Sequence, residues 1–142
     1  MTEPKIIQFP LGLRENLQYH YTKVEISSAE ILAINATPKE LVAAPGAGYM
    51  LMPIHAITDY SYLTAPYATN TDLTIIHSGE VPKLLDVQGV INQVVDKIQT
   101  GVLSEIKALI SNKALNLTEL TGDPTGGSGT LTIYLWYINL EL

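Results

Sequence analysis

The residues best equipped for proton or metal chemistry in this cysteine-free chain are three histidines, His20, His55 and His77. No two of them stand at the spacing of a helical turn or a short loop, and an open zinc site needs three protein ligands. His20 and His77 alternate with apolar neighbours, the pattern of histidines satisfied at the edge of a core. Ser128 lies within GGSG (Gly126 to Gly129). A nucleophile elbow needs its serine on a strand-to-helix turn, and a phosphate loop needs its glycines to open a helix. These glycines lead into a strand, as do those of GAG at Gly46 to Gly48, so both read as turns. Asp59, Asp72 and Asp86 stand in or near loops, and nothing in the sequence pairs two of them across a cleft as glycoside hydrolysis requires. Asn70 and Asp72 alone are too few for a calcium loop. The expectation is a chain that is not an enzyme, with no catalytic residues, no metal and no cofactor.

Composition turns attention from chemistry to surface. The chain has 142 residues, 46% of them hydrophobic and only 15% charged, against about 25% charged in an ordinary soluble domain. Its net charge of −6 offers no basic footprint for nucleic acid. No apolar run approaches the roughly 18 residues of a membrane-spanning helix, and MTEPKIIQFPLG, with Glu3 and Pro10, does not have the pattern of a signal peptide. Eight tyrosines accompany one phenylalanine. A tyrosine offers a broad apolar ring and a hydroxyl that tolerates water, which suits subunit contacts, internal packing and sugar stacking alike.

Periodicity supplies the elements that would position these groups. Residues 1–18 hold Ile6, Ile7, Phe9, Leu11, Leu13 and Leu17 among Pro4, Pro10 and Gly12, apolar enough to dock and too irregular for a sheet. They read as an N-terminal docking arm, followed by one β-rich domain over 19–142. Tyr19 to Ile26 alternates, with His20, Thr22, Val24 and Ile26 on one face and Tyr21, Lys23 and Glu25 on the other, as in a half-buried strand. Ser27 and Glu30 form a capping-box pattern, so a short helical turn follows, pinned by Ile31, Leu32 and Ile34. PGAG (Pro45 to Gly48) separates two extended apolar segments and predicts a hairpin. Pro53 cannot donate to a ladder, which places it at an edge or a bend. Val87, Val90, Ile91, Val94, Val95 and Ile98, then Val102, Leu103, Ile106, Leu109 and Ile110, recur at helical spacing and predict a helical excursion around residues 86–110. Ala114 to Leu120 returns to strand. Thr130 to Leu142 is apolar on both faces and therefore needs cover beyond one sheet. The fold class is mainly β, a β-sandwich of which a jelly roll is one version.

Three stretches carry a likeness. They are KVEISSAEILAINATPKELVAAPGAG (Lys23 to Gly48), TAPYATNTDLTI (Thr64 to Ile75) and NKALNLTELTGDPTGGSGTLTIYLWYINL (Asn112 to Leu140). With the extended strand ending near Tyr60, the chain resembles small structural proteins of tailed bacteriophages over about three quarters of its length. The resemblance implies a virion protein: a capsid decoration or cement subunit, a head-associated fibre component or a tail module. It implies a homo-oligomer, with a trimer expected, and contact with the major capsid protein or another virion protein. Nucleic acid and membrane are not expected partners. The candidate interface residues are Phe9, Leu11 and Leu13 of the arm, Tyr60, Tyr62 and Tyr67 around one loop, and Tyr134 and Trp136 of the last strand. A receptor- or glycan-binding module of a tail or fibre, using the tyrosine-rich loop, is the alternative.

Overall fold

The computed structural model describes residues 18–142. In chain order its strands are β1 (Tyr19–Ile26), β2 (Lys39–Val42), β3 (Tyr49–Ser61), β4 (Tyr67–Ala68), β5 (Thr74–His77) and β6 (Lys83–Asp86). They continue with β7 (Lys97–Thr100), β8 (Val102–Leu103), β9 (Leu115–Thr118), β10 (Thr125–Gly126) and β11 (Thr130–Glu141), and one helical turn, α1, spans Ser28–Ile31. Two antiparallel sheets form a β-sandwich. One has the order β1-β11-β3-β7, the other β2-β9-β5-β6-β8, and β4 pairs with β10 in a separate ribbon.

The β11 pattern explains why it becomes the hub of its sheet. It lies between β1 and β3, with Ile26 opposite Leu131 on one side and Tyr60 opposite Leu131 on the other. Alternation points Leu131, Ile133 and Leu135 into the core, all of them fully buried. Across the sandwich they share a single apolar cluster with Ile75, Leu85, Leu115 and Leu117 of the second sheet. The register between β3 and β11 shifts once, between Trp136 and Tyr137. His55 pairs with Trp136 and Pro53 with Tyr137, which leaves Ile54 as the extra residue of a bulge. Pro53, without an N–H, therefore falls at a bend. It also lies beyond the reach of β7, whose pairing with β3 covers only Ile57 to Tyr60.

The capping box at the start of α1 forms as its sequence predicts. Glu30 N donates to Ser27 Oγ and Ser27 N donates to Glu30 Oε1, each at 3.2 Å. Ile31 and Ile34 are buried, whereas Leu32 is exposed and does not help to pin the turn.

Two expectations are corrected. The segments flanking PGAG do not form a hairpin, because β2 pairs with β9 in one sheet while β3 pairs with β11 and β7 in the other. Gly46 and Gly48 do adopt left-handed φ values of 108° and 84°, but the reversal carries the chain across the sandwich instead of back along the same sheet. The helical excursion over residues 86–110 is also absent: this stretch holds β7, β8 and turns. Its apolar residues share no face. Val87, Val90 and Ile91 are buried, while Val94, Val95, Ile98, Val102, Leu103 and Leu109 are exposed. Most of them are β-branched, which weakens helix propensity, and the segment finds better partners in the edges of both sheets. β7 joins β3, β8 joins β6, and Gly101 between them donates its N–H to the Ala56 carbonyl at 2.9 Å. Of the docking arm expected over residues 1–18, only Gln18 falls within the described residues, and Phe9, Leu11 and Leu13 lie outside them.

The entry to β11 is a point of close approach. A Cβ on the buried Gly129 would sit 2.6 Å from the Ser61 carbonyl oxygen and 2.6 Å from the Tyr60 ring. Because backbone is one of the obstacles, Gly129→Ala is expected to cost about 1–3 kcal/mol through overpacking. Urea unfolding should show a lower midpoint with an unchanged slope. An unshifted midpoint would mean that the β3–β11 junction yields freely.

Candidate functional site: the outer face of the four-stranded sheet

Strand alternation gives the β1-β11-β3-β7 sheet an outer face, turned away from the sandwich core. Register places Tyr21, Trp136 and His55 in one row across β1, β11 and β3. The Tyr21 and Trp136 ring centroids are 5.2 Å apart with planes at 47°, and His55 lies 5.4 Å from Trp136 at 39°. The next row runs Lys23, Tyr134, Ile57 and Thr100, with Lys23 Nζ 5.8 Å above the centre of the Tyr134 ring. Glu25, Thr132, Asp59 and Ile98 form the third. Tyr19 is 69% exposed, Tyr21 53% and Ile98 72%, while Tyr134, Trp136 and Ile57 are half-buried. The result is an apolar and aromatic sheet face with charge gathered towards one end, uncovered by any other described element.

The expected interface residues therefore divide. Tyr134 and Trp136 do stand on a surface. Tyr60 and Tyr67 do not: they are 0% and 2% exposed, with ring centroids 6.4 Å apart inside the core. The Tyr67 hydroxyl donates to the buried Gly129 carbonyl at 2.6 Å. Tyr62 is half-buried, and its hydroxyl donates to the Thr64 carbonyl two residues on at 2.8 Å. A tyrosine-rich loop in the sequence thus becomes a plug in the fold, since rings that extend from a loop beside the sandwich bury more apolar area inward. Sequence reasoning missed Tyr19, Ile57 and Ile98 as surface apolar groups. The alternation of β1 already carried the signal for Tyr19, whereas the apparent helical period hid Ile98.

The polar groups with chemical potential serve the structure. Ser128 Oγ accepts from the Thr64 and Ala65 N–H groups at 3.0 and 3.2 Å, tying two loops together. His77 is buried, with Nε2 2.8 Å from the Leu51 carbonyl, so that nitrogen carries the proton and donates. His20 stacks on Tyr137 at 5.3 Å. The buried Glu119 accepts from Thr121 N and Gly122 N at 2.8 and 2.9 Å, and Asp123 Oδ1 accepts from Asn35 N and Ala36 N at 2.7 and 3.0 Å. The Glu119 carboxylate closes its own turn, and Asp123 ties that turn to the chain that follows α1. The Glu30 carboxyl is held below its usual range by the Lys39 ammonium and by the Ser27 backbone N–H. Among the described residues, no three His, Asp or Glu side chains converge as a metal site, and no helix is long and apolar enough to cross a membrane.

No protein-family model and no curated protein matches the chain. Among solved structures it is similar to a chain in the capsid of Ralstonia phage GP4, with a TM-score of 0.46 and 14% identity over 86% of this chain and 83% of that one.

Burial of the Tyr67 ring, reinforced by the neighbouring Tyr60 phenol, pushes the Tyr67 hydroxyl up to about 12 from its ordinary 10.0. Burial raises Tyr60 as well. The unfolded chain releases the Tyr67 proton near pH 10, while the folded chain holds it to about 12. The stabilisation is therefore whole below pH 10 and is lost as pH rises through that window, by up to about 3 kcal/mol. Tyr67→Phe should cost about 1–3 kcal/mol at neutral pH by leaving the Gly129 carbonyl unpaired, and should make the fall in stability from pH 10 to 12 shallower. Urea midpoints measured across that range test both. A variant whose alkaline fall is as steep as the parent's would move the effect elsewhere.

Proposed function

We propose that this chain is a non-enzymatic structural protein of a bacteriophage virion, a decoration or cement subunit on the head that stabilises the particle through contacts between subunits. The observation that carries the assembly role is the outer face of the four-stranded sheet. Large exposed apolar patches on soluble domains mark surfaces that meet other macromolecules, and aromatic rings dominate the energy of such contacts. The face fits the charge-poor composition, because a surface covered by neighbours has less need of charge. The likeness of three sequence stretches to small structural proteins of tailed phages supplies the particle. The proposed partners are further copies of the chain, as a homotrimer, and the major capsid protein.

The receptor- or glycan-binding alternative rested on a tyrosine-rich recognition loop. Its rings at Tyr60 and Tyr67 are internal, so that loop does not offer the stacking surface the alternative needs.

Electron microscopy of the particle that contains this chain tests the proposal. Density for a two-sheet sandwich is expected on the outside of the shell, and heads stripped of the protein should lose heat resistance and regain it on add-back. Density confined to a tail tip would overturn the decoration role. Sedimentation equilibrium of the purified chain at micromolar concentration should give three chain masses, and a monomer that also fails to bind stripped heads would overturn assembly altogether.

A further inference from the structure

No described element covers the outer sheet face, and the sequence carries an apolar segment, Ile6 to Leu17, outside the described residues. The geometry points to residues 6–17 of one copy docking on the outer face of the four-stranded sheet of a second copy, over Tyr21, Trp136, Tyr134, Ile57 and Ile98. This deepens the assembly reading by naming the two surfaces that meet.

Four observations favour this occupant. Ile6, Ile7, Phe9, Leu11, Leu13 and Leu17 make the segment the densest apolar run outside the described fold. Only Gln18 separates it from Tyr19, the first residue of the edge strand that carries the exposed Tyr19 and Tyr21. Six residue steps separate Leu13 from Tyr19, a reach of at most about 20 Å at roughly 3.3 Å per residue. Arg14, Glu15, Asn16, Leu17 and Gln18 contain neither Gly nor Pro to turn that chain back over its own sheet. A linker with neither Gly nor Pro favours a neighbour's face over its own. Pro10 removes an N–H in the middle of the segment, which suits a strap held by side chains on a sheet face better than an added strand.

Trp136 is the chain's only tryptophan and stands in the middle of the receiving face, so its fluorescence reports cover directly. In the full chain, acrylamide quenching of Trp136 should fall and its emission shift to the blue as concentration rises. The triple variant Phe9→Ser, Leu11→Ser, Leu13→Ser should keep the parent's melting temperature and lose that protection. A peptide of residues 1–17 added to dilute full chain should restore it, but should fail to do so with Tyr21→Ser and Ile98→Ser, two exposed positions whose replacement leaves the core intact. Protection independent of concentration would overturn the proposal in favour of docking on the same chain. Protection that persists in the triple variant would overturn it in favour of another surface of the second copy. Quenching equal in all variants at every concentration would show that nothing of this chain covers the face. None of these readouts involves a particle, so failure here is distinguishable from failure of the virion role.

Discussion

The pairing of β11 with strands on both sides is the constraint on which the rest of the molecule depends. Over Tyr19 to Ile26 and over Tyr49 to Ser61 its ladder satisfies the backbone of two further strands. Because side chains alternate with a period of two, this register alone decides what is inside. In the observed register Leu131, Ile133 and Leu135 complete the core while Tyr134 and Trp136 face outward. A one-residue slip would exchange the two sets and put the indole where close-packed aliphatic groups now meet. The bulge at Ile54 absorbs the residue whose neighbour Pro53 cannot donate to the ladder, so β3 keeps its inward residues on both sides of the bend.

The ends of the sandwich are closed by groups with hydrogen-bonding capacity in place of further strands. The Tyr67 ring fills the space beside Tyr60, and its hydroxyl anchors the chain at Gly129, one residue before β11 begins. Ser128 binds the loop that delivers Tyr67, and Glu119 and Asp123 organise the turn leading out of β9. Residue types that often signal catalysis are thus consumed in holding loops against the core. Ser128, Glu119 and Asp123 satisfy backbone donors, and Tyr67 a backbone acceptor, that would otherwise be left without partners.

The same strand that builds the core also builds the outer aromatic face. β11 has no polar side to spare: its outward residues are Thr132, Tyr134 and Trp136, and only β1 and Asp59 contribute charge to that face. Core and outer face are therefore coupled through one backbone. A substitution that shifts the β11 register would alter both at once, whereas one confined to an outward ring leaves the fold in place.

Local patterns in the sequence determined much of this. The alternation of β1 and of the terminal strand, the capping box at Ser27 and Glu30, the bend at Pro53 and the sandwich class were legible because each depends on neighbours within a few residues. What partners a segment was decided only in three dimensions. PGAG reads as a hairpin because turn chemistry specifies a reversal and not the sheet that receives the chain next. Val87 to Ile110 reads as a helix because apolar spacing carries no information on whether a residue ends up in the core or on an exposed edge. The tyrosines at 60 and 67 read as a surface loop because a phenol's amphipathic character allows either place. Their burial depends on Gly129, more than sixty residues away in the chain, which lies against the Tyr60 ring and accepts from the Tyr67 hydroxyl. Long-range pairing chose among locally equivalent options, since the free energy of burying a face depends on what is opposite it.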